Sequence, residues 1–375
     1  MDLAQAPEIS PTIRRRAPLR IAQVAPLYES VPPRLYGGTE RVVAYLADAL
    51  VDLGHDVTLF ASGDSHTRAK LVAGRDSALR LDKSPLKSDL ASHLAMLHDV
   101  RGRADRFDVL HFHTDILHFP LFEDLSAKTV TTLHGRLDLP DLAGVFERWR
   151  NYPLVSISLD QRTPLPEANW IASVGHGLPL ELYPPPVSAG GSYLAFVGRI
   201  APEKRPDRAI RVARRAGMTL KIAAKVDAAD ARYFNEVIEP MLDEPHVEFL
   251  GELAEPEKRA LLAGASALLF PIDWPEPFGL VMIEAMGCGT PVVAWRCGSV
   301  PEVVDNGVTG FIVGSEDEAA AACRRLDELD RARVRQVFEE RFSARAMALR
   351  YLDVYARLAD IASIGEAAQL VARHG

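Results

Sequence analysis

From Leu19 onward the chain alternates short apolar runs with stretches of helical spacing. Arg20-Ile-Ala-Gln-Val-Ala25 reads as a first buried strand. A loop rich in Pro and Gly follows, and then Thr39 to Leu53 places Val42, Val43, Leu46, Ala49, Leu50 and Leu53 at helical spacing. Gly54 stops that helix and Asp56 to Phe60 opens a second strand. Val109 to Phe112, Thr129 to Leu133 and Leu154 to Ile157 have the same strand character. Short buried strands separated by helices predict βαβ units and a parallel sheet.

The segment Tyr183-Pro-Pro-Pro-Val-Ser-Ala-Gly-Gly191 is stiff and then flexible, as an interdomain linker would be. Beyond it the alternation restarts with Tyr193 to Val197 and a helix through Arg208 to Arg215. Leu220 to Ala223, Val247 to Leu250, Ala267 to Phe270, Pro291 to Ala294 and Phe311 to Val313 follow as strands. The predicted fold class is therefore α/β, with two parallel-sheet domains over residues 18–185 and 186–345 facing across a cleft. Ligands of such sheets sit at the carboxyl ends of the strands.

Composition narrows the picture. At 375 residues, 48% hydrophobic and 25% charged, the chain can build two sizeable cores and is not disordered as a whole. A net charge of -8 argues against a general nucleic-acid binder. Cys288, Cys297 and Cys323 have no metal-ligand spacing and cannot form a disulfide framework, which fits a reduced compartment. No run approaches the roughly 20 apolar residues of a membrane span. Arg14, Arg15 and Arg16 lie in a stretch, 1–17, that reads as a solvated tail without the apolar block of a signal peptide. The expectation is a soluble, cytoplasmic protein. A basic lean between Arg68 and Arg106 is diluted by Asp89, Asp99 and Asp105, so at most peripheral membrane contact is expected.

Four groups of residues carry candidate chemistry. Pro275-Glu-Pro-Phe-Gly-Leu280 follows a buried strand and opens a helix containing Glu284, a carboxylate between Ile283 and Ala285. A charge there is paired or bound to a ligand, and the amides of Gly279 and Leu280 would face an anion. Arg199 and Lys204 follow the strand Tyr193 to Val197, where a guanidinium fork and an ammonium would meet a diphosphate. Gly37 and Gly38 let the backbone approach a ligand, although the spacing is not that of a dinucleotide-binding loop. His111, His113 and His118 follow one strand and His134 the next. No acidic or cysteine partner has metal-ligand spacing, so His134 is read as a polar ring turned into the cleft.

Together, Glu276 to Glu284 with Pro-Phe-Gly-Leu, Gly198-Arg199 to Lys204, and Gly37-Gly38 resemble retaining glycosyltransferases of family 4. Gly287 to Val293, Ser299 to Glu302 and Asn306 to Gly310 extend the resemblance. It implies the GT-B architecture, two Rossmann-like domains with the nucleotide-sugar held mainly by the second, and C-terminal helices over 346–375 packing back across both. Arg199 and Lys204 would then neutralise the leaving diphosphate. Glu276 would hold hydroxyls of the donor sugar and Glu284 those of the ribose. Phe278, Gly279 and Leu280 would line the donor site, Gly38 would close on the phosphate, and Gly251 would meet the base. His134 matches the histidine near the transferred sugar, with Tyr36, Gly37 and His113 as acceptor-side candidates.

Sugar transfer passes through an oxocarbenium-like state while negative charge grows on the diphosphate. The chain has no D-x-D at a strand end. No cofactor and no metal are expected, only a nucleotide-sugar, with UDP-glucose favoured, and a small-molecule or glycan acceptor. The rivals are a nucleotide-sugar 2-epimerase, a hydrolase or a binding-only relative.

Overall fold

This computed structural model describes residues 17–34, 37–183 and 191–358. Tyr36, most of the expected linker, the tail up to residue 16 and the end of the C-terminal segment from residue 359 lie outside the described residues. The first sheet comprises β1 (Arg20–Val24), β2 (Asp56–Ser62), β3 (Lys70–Arg75), β4 (Val109–Phe112), β5 (Thr129–Thr132), β6 (Leu154–Ser156) and β7 (Trp170–Ser173). The second comprises β8 (Tyr193–Arg199), β9 (Thr219–Lys225), β10 (Val247–Gly251), β11 (Ala267–Phe270), β12 (Val292–Trp295) and β13 (Gly310–Val313).

The strand orders are β3-β2-β1-β4-β5-β6-β7 and β10-β9-β8-β11-β12-β13. Every pairing in either sheet is parallel. The two Rossmann-like domains are thus wound alike, with winding reversing between β1 and β4 and again between β8 and β11. At such a switch point the loops leave adjacent strands in opposite directions and open a crevice. Gly37-Gly38 follows β1, His113 follows β4, Lys204 follows β8 and Glu276 follows β11, so the sequence motifs sit at the two crevices.

Burial explains which strands the hydrophobic pattern reveals. The central strands are buried on both faces, as those of sheets covered by helices on both sides are: Ile21, Val109, Val130 and Val155 pack in one core with Leu46 and Leu50 of the helix Gly38–Asp52. Sequence reading misses β3 and β7, which are the two edges of the first sheet. No residue of Lys-Leu-Val-Ala-Gly-Arg or Trp-Ile-Ala-Ser is fully buried, and a strand covered on few sides needs no apolar run.

The second domain has separate cores on the two faces of its sheet, one around Phe270, Met282, Ile283 and Met286, the other around Leu194, Ile210 and Ile222. The chain then returns. Residues 344–358 are helical, and Met347, Tyr351 and Tyr355 pack into the first domain's core beside Ile21 and Val42. The outgoing and returning crossings touch where Leu178 exchanges backbone hydrogen bonds with Phe342 and Ala344, each at 2.8 Å. Gly177 permits this approach, since a Cβ there would fall 2.4 Å from the Ser343 carbonyl oxygen.

Candidate active site

The structure brings Lys204 and Glu276 together. Lys204 ends the short turn Pro202–Lys204 behind β8, and Glu276 stands on the loop between β11 and the helix Leu280–Gly287. Lys204 Nζ donates to Glu276 Oε2 and lies 5.0 Å over the Trp274 ring, whose Nε1 donates to the same oxygen at 2.9 Å. With side-chain exposures of 18% and 14% the pair is largely withdrawn from water, where charge interactions are stronger than at a free surface. The loop is pinned from behind, as Ser299 N donates to the Glu276 carbonyl at 3.0 Å and Ser299 Oγ to that of Phe278 at 2.8 Å. Gly298, at φ 56, lies so close that a Cβ would fall 2.3 Å from the Glu276 nitrogen.

Gly279 precedes the helix at φ 77, the left-handed region, and a Cβ there would also lie 2.8 Å from Met282 Cε. A Cβ on Gly38 would meet Leu280 Cδ1 at 3.5 Å, an ordinary contact, so the glycine pair and Pro-Phe-Gly-Leu face each other across the domain boundary. Gly37 is extended, and its missing Cβ would strike Pro33 at 2.9 Å. Gly251, at φ 69, closes the edge strand β10, two strands from β8.

Glu284 is 3% exposed and its Oε1 accepts from Lys258 Nζ at 2.8 Å and from Arg41 Nη1 at 3.0 Å. Arg41 belongs to the first-domain helix Gly38–Asp52, and it also reaches Glu255 of the second domain at 2.6 Å. Two cations and two carboxylates thus form a neutral cluster across the boundary. Burial disfavours the charge on Arg41, but Glu284 and Glu255 outweigh it and hold its pKa above the ordinary value. No hydrogen bond to Glu284 Oε2 is formed among the described residues.

The Arg199 guanidinium is engaged by Glu203 at 2.9 Å, Asp230 at 3.2 Å and Asp227 at 3.6 Å. Glu203 follows β8 while Asp227 and Asp230 follow the neighbouring strand β9, and a cation among these carboxylates is paired before any anion arrives. To grip a diphosphate it must exchange those partners.

The facing wall of the first domain carries neutral rings. His113 Nδ1 and His134 Nε2 are 2.8 Å apart, and His113 Nε2 is 2.8 Å from Gln23 Oε1. His134 stacks on His176 at 5.2 Å, and His176 packs against Phe278 of the second domain at 4.8 Å. Burial pushes His134 down to about 3 and holds His111, His113 and His176 well below the usual imidazole range. His111 gives its nitrogens to Tyr355 and Thr132, and His118 is a core ring stacked on Phe112.

Several of these residues escape sequence reading. Gln23 has a visible signal, a polar side chain inside an otherwise apolar buried strand. Arg41 has a fainter one, a charge beside the apolar face of its helix. Trp274 and Gly298 act through the backbone and side chain of Glu276, and Lys258 sits in a run, Glu-Pro-Glu-Lys-Arg, indistinguishable from solvated helix. Among the described residues no helix is long and apolar enough to cross a membrane.

Two family models match consecutive parts of the chain: "Glycosyltransferase Family 4" over residues 36–171 and "Glycosyl transferases group 1" over residues 186–341. The D-inositol 3-phosphate glycosyltransferase of Mycobacterium leprae is 34% identical over 140 residues, which are 36% of this chain and 31% of that protein. The chain thus spans about a third of the length of those curated relatives. The phosphatidyl-myo-inositol mannosyltransferase of Mycolicibacterium smegmatis is 25% identical over 87% of this chain and 89% of its own. Among solved structures, AviGT4, a glycosyltransferase involved in avilamycin A biosynthesis, matches with a TM-score of 0.70 and 25% identity, covering 91% of this chain and 98% of that one. With GT-B architecture in both domains and the two family models in tandem, the chain belongs to the family 4 glycosyltransferases.

Proposed function

We propose that the protein moves a hexose from a nucleoside diphosphate sugar to an acceptor hydroxyl, with retention of configuration and without a metal ion. A UDP-sugar, UDP-glucose first, is the favoured donor. The observation that carries this reading is the Lys204–Glu276 pair at the β8/β11 crevice. Lys204 offers positive charge where a departing diphosphate gains negative charge, and Glu276 offers a carboxylate to sugar hydroxyls. Glu284 Oε2 accepts a ribose hydroxyl, and the amides behind Gly279 face the phosphates. Arg199 joins them by releasing its carboxylate partners, and His134 and Gly38 close the sugar from the first domain. The base lies toward Gly251.

A mannosyl donor is the second reading, favoured by the likeness to the phosphatidyl-myo-inositol mannosyltransferase along most of both chains. Two of the relatives bear inositol-containing names, which makes inositol phosphate a first acceptor to try. The test is nucleoside diphosphate release from UDP-glucose and from a mannosyl donor, in EDTA, with and without acceptor, and anomer assignment of the product by NMR. Release that needs the acceptor and survives EDTA is expected, with a retained anomer. Release without acceptor points to hydrolysis, conversion of the donor sugar alone to epimerisation, and loss in EDTA to a metal enzyme.

A further inference from the structure

We propose that Gln23 and His113 are positioning residues: they fix which nitrogen of His134 carries the proton, and so present His134 Nδ1 as a hydrogen-bond acceptor to a sugar hydroxyl. The inference rests on the reading above, in which His134 lies beside the transferred sugar.

A neutral imidazole has one N–H and one bare nitrogen, and the partner of either nitrogen decides which is which. Gln23 Oε1 can only accept, so His113 Nε2, 2.8 Å away, carries the proton. His113 Nδ1 is then bare and takes a hydrogen from His134 Nε2, also at 2.8 Å. That leaves Nδ1 of His134 as a lone pair. At its other end the Gln23 amide donates from Nε2 to the Tyr355 hydroxyl at 3.1 Å, in keeping with this sense. Tyr355 passes its own proton to His111 Nδ1 at 2.8 Å, and His111 Nε2–H continues to Thr132 Oγ1 at 2.8 Å. Each member between His134 and Thr132 both gives and takes a hydrogen, which requires His113 and His111 to be uncharged. Burial of His111 and His113 supplies that condition by disfavouring imidazolium.

The chain ends at an atom with nothing to bind. His134 Nδ1 is buried and has no hydrogen-bond partner among the described residues. So is Nδ1 of His176, the ring stacked on it, 4% exposed and touching Phe278. Buried polar atoms are normally satisfied, and leaving one unpaired is costly. Two unpaired nitrogens beside the Pro-Phe-Gly-Leu loop are expected where a ligand hydroxyl completes the set. The placement of Gln23 supports the same conclusion. It interrupts a strand that is otherwise fully buried and apolar after Arg20, and its amide reaches both His113 and Tyr355 of the helix 344–358.

The full-length protein labelled with 15N at histidine tests this, using His134→Gln to assign the His134 signals. Nδ1 of His134 is expected to report as an unprotonated nitrogen and Nε2 as N–H. Gln23→Met removes the directing acceptor, so the two His134 tautomers should mix. Turnover should fall between about tenfold and a hundredfold, with UDP affinity and donor KM held within about twofold. Should Gln23→Met not fold, Tyr355→Phe releases the far end of the amide and should give a weaker form of the same mixing. A protonated Nδ1 in the wild type overturns the inference, as does a tautomer ratio insensitive to residue 23, or a turnover loss mirrored by lost UDP affinity. The NMR readout needs no reaction. If no donor sugar is transferred at all, the functional reading fails while the tautomer result still decides the role of Gln23.

Discussion

The two walls of the cleft solve opposite problems with opposite chemistry. On the second domain the charged candidate side chains are paired: Lys204 with Glu276, Arg199 with three carboxylates, Glu284 with Arg41 and Lys258. On the first domain the functional side chains are buried, uncharged and joined by hydrogen bonds between rings and an amide. A departing diphosphate needs fixed charge, which pairing keeps affordable inside a protein. An uncharged sugar and an incoming hydroxyl need directional partners, and a charge on that side would attract the leaving group to the wrong wall. The first domain sends Arg41 across to the Glu284 and Glu255 carboxylates, and its Arg136 guanidinium lies 6.0 Å from the Trp274 ring.

The sharpest way to break this contrast is Glu276→Ala. It should lower kcat by more than about a hundredfold while leaving nucleoside diphosphate affinity within about threefold, by calorimetry. Equal loss of both would remove its sugar-contacting role. Gly298→Ala should come next, because a Cβ at φ 56 meets the Glu276 backbone. It is expected to cost about 1–3 kcal/mol of stability by chemical denaturation and at least tenfold in turnover. Wild-type turnover would show that the loop can shift freely.

Arg41→Ala leaves Glu284 buried with one cation instead of two, and should destabilise the molecule by about 1–3 kcal/mol. Denaturation read separately in each domain should show the boundary loosening first. On the histidine wall the expected effect depends on pH. His134 stays unprotonated in the fold down to about 3, whereas the unfolded chain binds a proton near pH 6.5. The folded pKa is depressed, so the stability contribution is full above about 6.5 and is lost as pH falls toward the folded value, by up to about 1.4 kcal/mol per unit. His134→Gln should therefore flatten the decline in stability between about pH 6 and pH 4. Arg199→Ala should be mildest, weakening nucleoside diphosphate binding about threefold to tenfold, since the wild-type guanidinium must first leave its carboxylates.

The same contrast decides what the sequence reveals. Glu284 stands out in one dimension as a carboxylate between Ile283 and Ala285, and Arg199, Lys204 and Glu276 by their place behind apolar strands, so these four are singled out as candidates before any fold is known. Their partners are another matter. Arg199 lies among Asp227 and Asp230, which come from the loop after the neighbouring strand β9, and Glu284 meets Arg41 from 243 residues away. Which opposite charge each one faces is a property of packing. Central strands announce themselves as apolar runs, whereas β3 and β7 do not, because an edge strand has little to bury. The histidine chain is the least legible part. His113 and His134 can be seen at strand ends, but Gln23 and Tyr355 join them only when β1 and the helix 344–358 lie side by side.

The measurement that bears most directly on the charged wall is calorimetric titration of UDP, GDP, ADP and NAD into the metal-free protein, repeated with Lys204→Ala and Arg199→Ala. One nucleoside diphosphate, UDP first, should bind without added metal, and Lys204→Ala should weaken it more than Arg199→Ala does. Binding of NAD alone, or nucleotide affinity indifferent to both substitutions, would contradict a diphosphate site at the β8/β11 crevice.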